Sequence, residues 1–378
     1  MVAPRLEIDL DKIYHNAHEL VTRLAEHRIS VTGITKASLG SVEIANAFLQ
    51  AGVTGLGDSR IENIKPLRLA GNHVLFSDVP MTLIRSPMLS QVAQVVRFTD
   101  ISCNTEIEVI KQLSFEAQKQ NRIHQILLMV ELGDLREGIM PDDLIDVVGE
   151  VIGLPHIFLK GIGANLACRC GVVPDATNMA LLSDLTAQIE SVFNLTLDVV
   201  SGGNSANLRW ALSADSRIGR INNLRLGEAI LLGRETLRRQ PIDGLSTDAI
   251  KLVAEVIESK VKPSLPTGDI AQTAFGDAQP VSDRGLVRQA ILAIGIQDID
   301  PCGMQTPTGI NVLGASSDHL IIESSENKLF VGEELAFELD YCALVRAMTS
   351  PFVSKIYSSR QGVPPAYAFG KMRSQTLI

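Results

Sequence analysis

"VTGITKASLG" (31–40) starts as an apolar, β-branched run and ends in one lysine, Lys36, followed at once by small polar residues and glycine. Such a run reads as a buried strand, and a buried strand that ends in lysine delivers an amine to whatever lies beyond it. The pattern recurs. Further strand candidates follow "ISVTGITK" (29–36) at "VTGLGDS" (53–59), "HVLFSD" (73–78), "FTDISCN" (98–104), "HQILLMVEL" (124–132), "FLKGIGANL" (158–166), "LTLDVVSGG" (195–203) and "INNLRLGEAI" (221–230). Between them, stretches such as 106–120 and 179–193 space their apolar residues three or four apart and so cover one helical face. Eight strands alternating with helices predict an α/β fold, a (β/α)8 TIM-type barrel. Ahead of the first strand, 9–27 is amphipathic and flanks the barrel, with Tyr14, His15 and His18 read as solvated or packing residues.

After residue 240 the character changes to Pro-, Gly- and Ser-rich punctuation around β-type runs at 262–276, 288–298, 311–324 and 334–348. The expected division is a barrel over 1–238, a smaller C-terminal β domain over 239–357 and an extension over 358–378. A chain of 378 residues with 46% hydrophobic and 20% charged residues has ample material for two cores. Its formal charge of −9 argues against nucleic acid or an anionic membrane as partner, and for a small molecule. Five scattered cysteines read as reduced thiols; Cys168 and Cys170 alone are close, and no metal is expected there. The N-terminal stretch lacks the regions of a secretory signal, and no apolar run is long enough to span a bilayer, so a cytoplasmic protein is expected.

In a barrel of this kind the strand-final residues surround the active site. They include Lys36, Asp58 with Arg60, Asp78, Asn104, Glu131 with Asp134 and Arg136, Asn165, Ser201 to Ser205, and Arg225. The acidic members, Asp58, Asp78, Glu131 and Asp134, suit a substrate with a side-chain ammonium, although Glu131 and Asp134 could instead pair with Arg136. "SGGNSAN" (201–207) opens a helix with two glycines, Asn204 and Ser205, and offers bare N–H groups to a phosphate. The same residues serve equally as a helix cap. Gly227 in "NLRLGEA" (223–229) supplies a second glycine turn, after the eighth strand, where this fold commonly binds phosphate. A phosphate there and a lysine on the first strand suggest pyridoxal 5′-phosphate, whose aldehyde needs an amine.

Through "VELGDLREG" (130–138), "VSGGNSANL" (200–208), "NLRLGEAILLGRET" (223–236), "KPSLPTGDI" (262–270) and "LGASSDHL" (313–320), the chain resembles the alanine racemase fold family over residues 4–357. Within it the likeness is to the ornithine racemase type. The resemblance implies an amino-acid racemase, with Lys36 forming the covalent link to pyridoxal 5′-phosphate. It places Ser205 and the N–H groups of Gly227 and Glu228 on the phosphate, Arg225 at the pyridine nitrogen and Arg136 at the phenolic oxygen. Asn165 stands where alanine racemases carry a ring-stacking histidine. An arginine does not protonate the ring, which keeps charge at the substrate Cα short-lived and favours simple return of the proton.

The resemblance also implies a homodimer with a shared active site. The partner's tyrosine that serves as second base in alanine racemases is matched here by Phe275, which cannot carry a proton. Tyr341, expected on a strand of the β domain, is the candidate in its place, with His319 and Asp318 as alternatives. Ornithine or lysine is the expected substrate, with alanine as the alternative. A non-catalytic carrier of the cofactor is disfavoured by the second domain. A metal-dependent lyase or aldolase is disfavoured because its ligand pair reads Tyr341 and Ala343.

Overall fold

The computed structural model describes residues 2–69, 76, 78–213, 217–273, 275–276, 281–325 and 328–359. After a first strand, β1 (Arg5–Asp9), come the barrel strands β2 (Ser30–Ile34), β3 (Gly55–Asp58), β4 (Met81–Leu83), β5 (Ile101–Asn104), β6 (His124–Val130), β7 (Ile157–Ala164), β8 (Val199–Ser201) and β9 (Asn223–Leu226). They form a closed barrel, each parallel to the next. Closure is made by β2 on β9, which sets Thr32 beside Arg225. The strand ends carrying Lys36 and Arg225 are thus neighbours, although 189 residues separate the two in sequence (225 − 36).

Each strand is short and mostly apolar because both of its faces are covered. Helices outside the barrel do the covering. The helix Leu10–Glu26 buries Leu10, Ile13, Ala17, Leu20 and Leu24, a three-and-four spacing that puts these side chains on one face. Asp9 caps it by accepting from the N–H groups of Asp11 and Lys12. Between β7 and β8 the backbones approach so closely that a Cβ on Gly161 would lie 1.7 Å from the Val199 carbonyl oxygen. Any side chain there would push the sheet apart.

One sequence expectation moves. The third barrel strand is Met81–Leu83 and not 73–78, most of which lies outside the described residues. Asp78 is exposed in a bend before β4, so it sits at the end of the barrel opposite the mouth and does not close a strand onto the site.

The second domain is an eight-stranded sheet. Its strands are β10 (Ile250–Pro263), β11 (Leu286–Leu292), β12 (Met304–Gln305), β13 (Ile310–Ala315), β14 (Leu320–Ser324), β15 (Glu334–Leu339) and β16 (Ser354–Ser358), with β1 as the eighth. β1 runs antiparallel to β10 and parallel to β16, so the first strand of the chain belongs to this sheet before the barrel begins. The tail beyond residue 359 lies outside the described residues. No helix among the described residues is long and apolar enough to cross a membrane.

Between β15 and β16 lies the helix Tyr341–Thr349, capped by Asp340, whose carboxylate accepts from the Ala343 N–H at 2.9 Å. Tyr341 is therefore the first residue of a helix, not a strand residue. Ala343, Leu344, Ala347 and Met348 bury its inner face, and the helix packs on the turn Lys36–Ser38 that ends β2. Burying a side chain such as Leu344 is worth roughly 1.5–3 kcal/mol, so this packing holds the sheet domain against the barrel mouth.

Candidate active site

The loops at the C-terminal ends of the barrel strands build the site. After β2 the backbone turns through Lys36–Ser38 with Leu39 in the left-handed region, leaving the Lys36 side chain exposed to the mouth. Thr35 fixes that turn. Its hydroxyl donates to Asp58 at 2.8 Å, and Asp58 also accepts from the Arg60 N–H and the Asn63 amide. Asp58 is fully buried, and burial pushes its carboxyl above the usual range despite these hydrogen bonds. It is a brace between β2 and β3 rather than a group facing substrate.

The other carboxylates expected at the mouth are likewise engaged. Glu131 accepts from the N–H groups of Gly133 and Leu135 and shapes the loop after β6. Asp134 accepts from the N–H groups of Cys168, Arg169, Cys170 and Val172, and so holds the loop after β7. Burial opposes its charge, but the four N–H donors together keep its carboxyl below the usual range. Hydrogen bonds to a charged group contribute about 1.5–3 kcal/mol, so Asp134→Asn should destabilise the fold by about 2 kcal/mol at neutral pH. Because the folded pKa is depressed, that contribution is present above the unfolded value near 3.9 and is lost as pH falls through the folded one. Urea unfolding of both forms at neutral and at acid pH checks it, with the gap expected to shrink in acid.

After β8, Gly203 adopts φ of 145°, and Asn204 caps the turn Ser205–Asn207 by accepting from the Ala206 N–H at 2.8 Å. The Asn204 amide donates to Asn165 Oδ1 and to the Leu166 carbonyl, joining the loops after β7 and β8. The Ser205 hydroxyl accepts from the Ala229 N–H at 3.2 Å, joining them in turn to the loop after β9. There Gly227 lies so near β2 that a Cβ would meet the Ile34 carbonyl oxygen at 2.9 Å. The residues expected to cradle a phosphate thus also cap the turn.

Arg225 points inward from β9, donating to Ser201 Oγ at 2.5 Å and to the Ala164 carbonyl at 2.7 Å. It is buried, no carboxylate among the described residues pairs with it, and burial lowers its pKa from the ordinary arginine value.

These groups meet in one cavity of about 560 Å³, lined by Lys36, Arg136, Asn165, Asn204, Ser205, Arg225, Gly227, Glu228 and Tyr341. Across it, Lys36 Nζ lies 5.5 Å from the centroid of the Tyr341 ring. Burial pushes the Tyr341 phenol up, and the neighbouring Lys36 ammonium pulls it part-way back. Asn165 Nδ2 and Thr236 Oγ1 are buried at this cavity with no hydrogen-bond partner among the described residues. Orphaned polar atoms in a cavity also lined by Lys36, Arg60, Arg85, Arg136 and Arg225 mark a place for a polar, anionic guest.

Sequence reasoning missed Arg85, Glu137 and Thr236, which also line the cavity. Arg85 follows the displaced third strand. Glu137, ion-paired to Arg136, and Thr236 both stand inside stretches that carry the family resemblance, which was the available signal. His319 and Asp318 do not line the cavity of their own chain. They sit in the turn between β13 and β14, where the His319 ring meets Ser316 and Asp318 accepts from Gln297 and Ser317.

The family model described as the alanine racemase N-terminal domain matches residues 8–235. The chain is 37% identical over 356 residues to ornithine racemase of Acetoanaerobium sticklandii, covering 93% of this chain and 99% of that one. It is 36% identical over 359 residues to lysine racemase of Thermotoga maritima, covering 94% and 99%. The chain belongs to the alanine racemase family. Among solved structures, alanine racemase from Bartonella henselae with covalently bound pyridoxal phosphate superposes with a TM-score of 0.70 at 19% identity, over 95% of this chain and 100% of that one. The racemase family fold thus extends past the matched barrel into the sheet domain that carries Tyr341.

Proposed function

We propose that this chain is an amino-acid racemase dependent on pyridoxal 5′-phosphate, acting on a cationic amino acid such as ornithine or lysine. The observation that carries it is Lys36 facing Tyr341 across one cavity, in a chain whose near-full-length relatives are named ornithine racemase and lysine racemase. The cavity suits the cofactor: Ser205 and the N–H groups of Gly227 and Glu228 would hold its phosphate, Arg225 its ring nitrogen and Arg136 its phenolic oxygen. When bound, pyridoxal phosphate supplies the electron sink that makes the substrate Cα proton acidic.

Racemisation then requires a base on each face of Cα, because a proton returned to the face it left restores the starting enantiomer. Lys36 serves one face and Tyr341 the other. Tyr341 stays protonated at neutral pH in its buried setting and so begins as the acid. Arg225, held by Ser201 and Ala164, would present a fixed cation to the cofactor's ring nitrogen. A panel of L-amino acids incubated with the loaded protein and resolved by chiral chromatography tests the reading. The D-enantiomer should form from ornithine and lysine; its absence from every substrate would sink the proposal.

The proposal includes a homodimer. It is supported by apolar side chains left exposed on β10, β11 and the loop between them, among them Val261, Ile270, Phe275 and Leu286. A partner would cover these and could bring His319 and Asp318 to the neighbouring mouth. Light scattering should give twice the chain mass, and an active monomer would contradict it.

A further inference from the structure

The substrate proposed above carries a side-chain ammonium, yet the carboxylates expected to receive it do not form an acidic mouth. Asp58, Glu131 and Asp134 are used up in bracing loops, and Asp78 is at the other end of the barrel. The cavity itself is rich in cations and, among the described residues, has two carboxylates, Glu137 and Glu228. Glu137 is committed to Arg136. We infer that the Glu228 carboxylate receives the side-chain ammonium and selects cationic amino acids over uncharged ones of equal length, an inference that rests on the racemase reading.

Glu228 opens the short helix Glu228–Leu232 and is half-buried at the cavity wall. Among the described residues it has no hydrogen bond or ion pair through its side chain. Five titratable groups interact with it: Arg239, Asp340, Lys36, Glu235 and Tyr341. None is a settled counter-ion. Arg239 is ion-paired to Asp340; Lys36 is the residue that links the cofactor; Asp340 and Glu235 repel. Burial accordingly pushes the Glu228 carboxyl up to about 7. A carboxylate that is half-buried and unpaired in the free protein is costly to keep ionised. A cation that arrives with the substrate removes that cost, whereas an uncharged side chain leaves it in place. The same contact therefore attracts one substrate class and penalises the other.

The test compares Glu228→Gln with the unaltered holoenzyme, using L-ornithine against L-norvaline and L-lysine against L-norleucine, with products resolved by chiral chromatography. The ratio of kcat/KM, cationic over uncharged, should fall by about 10–150-fold, as expected for loss of one charged hydrogen bond. Both members of a pair are run on one preparation, so partial loss of cofactor cancels in the ratio. Glu228→Asp should give an intermediate ratio.

A second measurement needs no variant. As pH rises from about 6 to about 8, Glu228 ionises while the ornithine side chain stays charged, so the ratio should climb through that range. Changes at Lys36 or Tyr341 affect both substrates alike and drop out. A ratio within about threefold of the unaltered enzyme in Glu228→Gln, or a flat pH profile of the ratio, overturns the role of Glu228. Equal losses on both substrates overturn it too, showing that residue 228 serves only to hold the cofactor. If the unaltered protein racemises nothing, it is the racemase reading that fails.

Discussion

Lys36→Ala should abolish racemisation, lowering kcat by at least about 10⁴-fold, because on the proposed mechanism it removes both the covalent anchor of the cofactor and the base on one face of Cα. The fold should survive. Lys36 is exposed at the cavity, and the turn beneath it is held by Thr35, Asp58 and Asn63, none of which needs the lysine. Borohydride reduction of the loaded wild-type protein, followed by peptide mass mapping, should place the label on Lys36, and the variant should take up none. Label on another lysine would remove Lys36 from the site.

Tyr341→Phe should lower racemisation by about 10²–10⁴-fold while the cofactor remains bound. The phosphate, ring-nitrogen and phenolic-oxygen contacts proposed above all come from barrel loops, whereas Tyr341 comes from the helix that packs onto them. Phenylalanine keeps the ring that lies over Lys36 and loses only the hydroxyl. The variant should still exchange the Cα proton of one enantiomer with solvent deuterium through Lys36, with retention of configuration. Racemisation that persists in Tyr341→Phe and disappears in His319→Ala would transfer the second base to the turn between β13 and β14.

The barrel was legible because each strand is a short apolar run that ends in a polar residue, and parallel burial leaves that signature intact. The third strand was the exception. "HVLFSD" and "MTLIRS" both look like strands that end at a polar group, and nothing local separates them. Only the pairing of Met81, Thr82 and Leu83 with β3 decides it.

Tyr341, proposed for its chemistry, lies on a helix and not on the strand expected from the sequence. The signal was present: Asp340 is a helix cap, and Ala343, Leu344, Ala347 and Met348 come after it at helical spacing. The acidic mouth misled for a different reason. A carboxylate at a strand end can face a ligand or accept from the backbone of its own loop, and Glu131 and Asp134 do the latter. The sequence cannot separate these, since the N–H donors to Asp134 lie more than thirty residues downstream, at Cys168 to Val172.

The two-base mechanism is tested most directly by the fate of the Cα hydrogen when L-ornithine is racemised in deuterium oxide and sampled at low conversion. With Lys36 and Tyr341 on opposite faces, the D-ornithine formed should carry solvent deuterium at Cα while the remaining L-ornithine keeps its protium. Formation of D-ornithine that retains the original protium would show one group working both faces and would contradict the mechanism.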